Sequence, residues 1–152
     1  MTLSLEAGML KKIPMFRDVE MSKLKLMALA SERLSYAPGE TMFHEGDMPD
    51  AVYVILAGAV EVLRHGAGGN MRVAQLEAGA IVGELAVICD SLRSATIAAV
   101  TDVCALKIEK TTFLDMMAQT PQLAMAVNRE LAHRLESMLA NFANTQQTGS
   151  KA

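Results

Sequence analysis

At 152 residues, 51% of them hydrophobic and 20% charged, the chain suits one domain with a sizeable core and is too apolar to be disordered. A net charge of −3 implies no broad basic face, which counts against binding nucleic acid irrespective of sequence. The longest apolar run, Ala51 to Val60, falls far short of the ~20 residues of a membrane span. The start "MTLSLEAGMLKK" lacks the basic residues and apolar run of a secretory leader. A cytoplasmic setting without a membrane segment is expected.

Taken in chain order, Leu5 to about Ser31 has helical periodicity, with Leu24, Leu26, Met27 and Leu29 near a 3.6-residue repeat. Pro14 interrupts it, and "IPMFRDV" is a connector between two helical pieces. From Leu34 to about Ile108 the texture changes to short runs rich in Val and Ile: "AVYVILA", "AVEVL", "RVAQL", "ATIAAV" and "CALKI". Glycines such as Gly39, Gly46, Gly58, Gly79 and Gly83 punctuate them, and "HGAGGN" predicts a flexible hairpin loop. Many short strands with frequent turn signals predict a barrel or a double-sheet jelly roll. Helical periodicity returns at "TTFLDMMAQT", with Thr111 or Thr112 as the N-cap. Pro121 opens a last helix running to about Asn141, its apolar stripe at Val127, Leu131, Leu135, Met138 and Phe142. That stripe suits a core face, a lid, or a seam with a second copy. The fold class expected is α+β, mainly β: a jelly roll flanked by N-terminal helices and a long C-terminal helix. One domain over residues 1–143 is expected, followed by a disordered tail over 144–152.

The residues that bear on chemistry are few. Cys89 and Cys104 sit in apolar context without metal-ligand spacing and are expected as buried thiols. His44, His65 and His133 are widely separated, and no Gly-x-Ser-x-Gly elbow is present, so neither a metal site nor catalysis is expected. The segment "GELAVICDSLRSAT", residues 83 to 96, stands out. It places one carboxylate, Glu84, nine residues before one guanidinium, Arg93. Either the two brace a turn as an ion pair, or they line a pocket for a small anion. Gly83 permits close backbone approach, and "ELAVIC" can form one short helical turn whose free N–H groups attract an anion. Arg93 can clamp phosphate oxygens, while Glu84 suits a sugar hydroxyl. A ligand with both a phosphate and a ribose satisfies both.

This segment resembles the phosphate-binding cassette of the cyclic nucleotide-binding domain family, and the resemblance extends over roughly Met9 to Phe142. "APGETMFHEGDMPDAVYVILAGAVEVL" and "LEAGAIVGEL" support it, with Gly39, Gly46 and Gly58 where that family has turn glycines. The resemblance implies that Glu84 accepts the ribose 2′-hydroxyl. It implies that Arg93 pairs with the cyclic phosphate beside Gly83 and the backbone N–H groups of Leu85, Ala86 and Ala95. Ser94 would line the phosphate or the base edge, and Val82 and Val73 would touch base or sugar. On the last helix, Arg134 and Leu135 match the family's Arg-Leu pair, and Met138 one turn later would cap the base by apolar contact. Ser94 could instead hold the edge of a guanine in the syn form, so the base stays open between cAMP and cGMP, with cAMP favoured as the family's commonest ligand; no other cofactor and no metal is implied. The implied function is a non-catalytic sensor that signals by moving its last helix to an effector protein or parent domain, with a homodimer through that helix possible. No DNA-binding domain is expected in the chain.

Two departures from the cassette pattern weaken the expected site without removing it. Leu92 stands where many cassettes have proline before the arginine, which adds ~0.4–1 kcal/mol of ordering cost. Asp90 places a carboxylate on the rim of an anion site. The alternative is a fold that has lost its ligand and serves as a scaffold or dimerisation module.

Overall fold

The computed structural model describes the backbone of residues 2–150 and the side chains of residues 5–143. Two helices, α1 (Thr2–Lys12) and α2 (Met21–Leu29), flank a 3-10 turn at Pro14–Phe16, where the sequence predicts a connector. Eight strands follow: β1 (Ser31–Tyr36), β2 (Thr41–Phe43), β3 (Ala51–Ala57), β4 (Ala59–Gly66), β5 (Gly69–Glu77), β6 (Ile81–Val82), β7 (Thr96–Ala99) and β8 (Val103–Glu109). The short helix α3 (Glu84–Cys89) lies between β6 and β7, and α4 (Lys110–Gln119) and α5 (Pro121–Ser150) complete the chain.

The strands form two antiparallel four-stranded sheets, ordered β1-β8-β3-β6 and β2-β7-β4-β5. Successive side chains of a strand point to opposite faces. β3 uses both faces for burial: Val52 and Val54 meet the helices, while Ala51, Tyr53 and Ile55 face the other sheet. This explains the unbroken apolar run "AVYVILA". On the helical side, Leu10, Phe16, Leu24, Met27, Phe113, Leu123 and Val127 pack on Val52, Val54, Leu106 and Ile108. Between the sheets, Phe43, Tyr53, Ile55, Val60, Val82, Ile97 and Val103 form a second core. The architecture is the expected jelly roll with flanking helices.

Several boundaries differ from expectation. α4 is capped by Glu109, in extended backbone at φ −58° and ψ 146°, with no side-chain hydrogen bond. β8 runs straight into the helix, so Thr111 and Thr112 already lie inside its first turn. "HGAGGN" is tighter than a flexible loop, since β4 and β5 stay paired to Gly66 and Gly69. The backbone of α5 continues to Ser150, past the expected end near Asn141 and into the stretch expected as a disordered tail; residues 142–150 contain no proline that would stop it. Residues 151–152 of that tail lie outside the described residues.

Neither thiol is buried as expected: Cys89 is exposed at the end of α3, and Cys104 is half-buried, with Arg33 Nε 3.2 Å from its sulfur. Among the described residues no helix is long and apolar enough to cross a membrane. No group of three or more His, Cys, Asp or Glu among them is placed to hold a metal ion.

Candidate functional site

β6 ends at Gly83, whose φ of 83° turns the chain into α3. A side chain there is strained by the positive φ and crowds the site: a Cβ would lie 2.6 Å from Arg93 Nη1, which would have to shift, and 3.3 Å from the Phe43 ring. The guanidinium of Arg93 therefore lies flush against the backbone of the turn. Asp90 closes α3 with a left-handed φ of 52°, and its carboxylate meets Lys110 Nζ at 3.1 Å. That pair turns part of its charge away from the site.

Arg93 returns between the sheets and is only 2% exposed. Its backbone is fixed before any ligand arrives: its N–H donates to the Asp47 carbonyl and its own carbonyl accepts from Gly46 N–H, both at 2.8 Å. This ladder orders the turn that Leu92, half-exposed, does not constrain as proline would. The guanidinium donates through Nη1 to the Gly83 carbonyl at 2.7 Å and through Nη2 to the Ala51 carbonyl at 2.6 Å. Nη2 also lies 3.3 Å from Asp50 Oδ1, and the guanidinium carbon sits 4.0 Å from the centre of the Phe43 ring. Nε is buried and has no partner.

Glu84, at the first position of α3, is 1% exposed. Its Oε1 accepts from Arg134 Nη1 of α5 at 2.7 Å, while Oε2 is buried without a partner. Burial pushes the carboxyl above the usual range, and the Arg134 charge opposes this incompletely. Arg134 also donates to the Ile81 carbonyl, and its Nε lies 3.6 Å from Glu130. Glu84 therefore pairs across to α5 and not with Arg93, as a brace within one turn would require. Two guanidinium groups, Arg93 and Arg134, and one buried carboxylate, Glu84, line the site, while Asp50 and Glu130 approach the same guanidinium groups from outside it.

These groups line a cavity of about 90 Å³. Of the expected residues it gathers Val82, Gly83, Glu84, Leu85, Ala86, Arg93, Ser94, Ala95 and Arg134. Val73 and Met138 do not line it. Val73 is the extra residue of a bulge in β5, where Val62 faces Ala74 and Leu63 faces Arg72, and it is half-exposed. Met138 lies one turn past Arg134, at 67% exposure. Phe43, Val62, Leu76 and Ile97 also line the cavity, and the sequence reading did not name them. Their signal was strand alternation: Val60 and Ile97 share the inter-sheet core, so Val62, two residues from Val60, shares its face.

The family profile described as the cyclic nucleotide-binding domain matches residues 33–120. Lysophospholipase NTE1 of Chaetomium globosum is 30% identical over 111 residues, which are 72% of this chain and 7% of that protein. An uncharacterised NTE family protein of Mycobacterium tuberculosis is 29% identical over 126 residues, 83% of this chain and 21% of that protein. The chain thus spans a small part of the length of these relatives. The catabolite activator protein of Thermus thermophilus superposes with a TM-score of 0.76 at 26% identity, covering 88% of this chain and 63% of that one. The regulatory domain of Toxoplasma gondii PKA, solved with cAMP, gives a TM-score of 0.74 at 20% identity, covering 84% and 49% respectively.

Proposed function

The chain belongs to the cyclic nucleotide-binding domain family, and from that premise we propose that it is a cytoplasmic, non-catalytic sensor that holds cAMP, in preference to cGMP, and signals through α5. The observation that carries this reading is three buried polar atoms without hydrogen-bond partners, on residues that line one cavity: the acceptor Glu84 Oε2 and the donors Arg93 Nε and Arg134 Nε, of which Glu84 Oε2 and Arg93 Nε are the two the ligand would meet. Buried polar groups left unpaired are costly, so both gain when a ligand supplies a hydroxyl and an anionic oxygen. A ribose 2′-hydroxyl donates to Glu84, and a cyclic phosphodiester, with its single negative charge, suits the guanidinium of Arg93. Backbone N–H groups of Leu85, Ala86 and Ala95 and the hydroxyl of Ser94 complete the phosphate's surroundings.

The signalling step follows from Arg134. A cavity of about 90 Å³ is smaller than the ~300 Å³ and above typical of ligand sites. Entry of a nucleotide therefore displaces the Arg134 side chain, and with it the hold of α5 on Glu84. Beyond Arg134 the helix exposes Leu135, Met138, Leu139 and Phe142, while Leu85 at the cavity and Ile88 and Leu92 after it in the chain are also exposed. A purine base between these apolar groups lets α5 close as a lid, a population shift whose size equals the ligand's preference for the closed state. Against Met138 and Leu139 a guanine leaves more polar edge unpaired than an adenine does, which favours cAMP. The small self-filled cavity also favours a second reading, a scaffold that has lost its ligand and pairs with another copy through α5. In the longer relatives a fused enzymatic region is the natural listener, and here the effector is taken to be such a domain or a separate protein.

Calorimetric titration of refolded, nucleotide-free protein separates these readings. Micromolar or tighter binding of cAMP, weaker binding of cGMP, and loss of both in Arg93→Glu with the fold intact are expected. Absence of binding to the wild type would leave the scaffold reading.

A further inference from the structure

We propose that Phe43 is a positioning residue for Arg93: its ring fixes the plane of the guanidinium, so that Nε meets the ligand in one orientation. This rests on the reading that Arg93 takes the cyclic phosphate. Two short hydrogen bonds hold the Nη atoms of Arg93, to the carbonyls of Gly83 and Ala51, and a longer one runs from Nη2 to Asp50 Oδ1 at 3.3 Å. The two carbonyl bonds tolerate a tilt of the guanidinium about the line joining them, and the long contact to a solvent-exposed carboxylate restrains that tilt weakly. The ring removes that freedom, because it lies face-on at 4.0 Å from the guanidinium carbon.

The ring is itself immobilised. Phe43 is 9% exposed, and Tyr53 packs on it with centroids 5.7 Å apart and planes at 31°. Its electrostatic role is as specific as its shape. Arg93 is almost wholly buried, yet its carboxylate partner Asp50 has a side chain 65% exposed. Solvent weakens that pair, so the negative face of the aromatic ring is what the dry side of the cation meets. An aliphatic residue fills the same volume but offers no such face.

The test uses refolded, nucleotide-free protein, cAMP, and the two phosphorothioate diastereomers of cAMP, each with sulfur in place of one exocyclic phosphate oxygen. A donor fixed in one orientation separates the diastereomers; a tilting donor does so less. Phe43→Leu and Phe43→Met are expected to weaken cAMP binding about three- to thirty-fold and to shrink the ratio of diastereomer affinities. Phe43→Tyr is expected to keep both values. Circular dichroism and thermal melting show which variants fold, and Phe43→Met stands in if Phe43→Leu does not. The proposal is overturned by wild-type affinity in the aliphatic variants. An equal loss for both diastereomers with the ratio preserved also overturns it, as that marks packing alone. A wild type that binds cAMP without separating the diastereomers does the same. If the wild type binds no cyclic nucleotide, the functional reading fails first and this one with it; failure of Phe43 alone leaves Arg93→Glu as the independent test of the site.

Discussion

Glu84 holds the site in balance, one carboxylate oxygen engaged by Arg134 and the other waiting. Its raised pKa, caused first by burial, has a stability consequence with a definite sign. A carboxyl whose folded pKa lies above its unfolded value of ~4.3 binds more protons in the native state. Its contribution to stability is therefore complete below that unfolded value and is lost as pH rises through the folded one. The stability of the wild type minus that of Glu84→Gln should fall over this interval and level off above it, read by urea unfolding of both proteins at a series of pH values. A difference that instead grows with pH would show that the pairing with Arg134 outweighs burial. Glu84 and Arg93 were readable as a pair because both lie in one contiguous segment, where spacing alone brings them together. Phe43, Val62 and Leu76 come from three different strands. Which face each shows depends on strand register, which local sequence does not determine.

The elements repeat this contrast. β3 and β8 are buried on two sides, so their apolar runs lack the alternation that marks a half-exposed strand, yet their Val and Ile content still identifies them as strands. Val73, which the resemblance implies touches base or sugar, stands at the bulge in β5 and does not line the cavity. Glycine gives a sharper test of what each turn needs. Gly58, between β3 and β4, has φ 92°, and a Cβ there would stand 2.1 Å from the Asp102 carbonyl oxygen. Gly39 has nearly the same φ, 88°, with nothing within 4 Å of a Cβ. Gly39→Ala should therefore show the conformational cost alone, about 1–2 kcal/mol. Gly58→Ala adds a backbone collision and should lose at least ~2 kcal/mol more, or fail to fold. Chemical denaturation of the two variants checks the order; equal losses would mean that the loop at Asp102 yields freely.

At the scale of the whole molecule, α5 joins two environments. Its first half, with Leu123 and Val127, belongs to the core, while the second half shows Leu135, Met138 and Phe142 to solvent. Arg134 stands at the junction and ties it to the site. The sequence showed the apolar stripe but not where the core lets go of it, because the stripe continues unbroken across that junction. The chain has no tryptophan, so Met138→Trp places a single reporter on the exposed half. If the base is capped by this turn of α5, cAMP should shift the emission to the blue and protect it from acrylamide. The same additions to Met138→Trp carrying Arg93→Glu should change nothing. Binding seen by calorimetry with no change in emission would mean that the helix does not close over the ligand. A blue shift that depends on protein concentration and not on cAMP would instead assign the exposed stripe to a second copy of the chain, since self-association follows mass action and a lid does not.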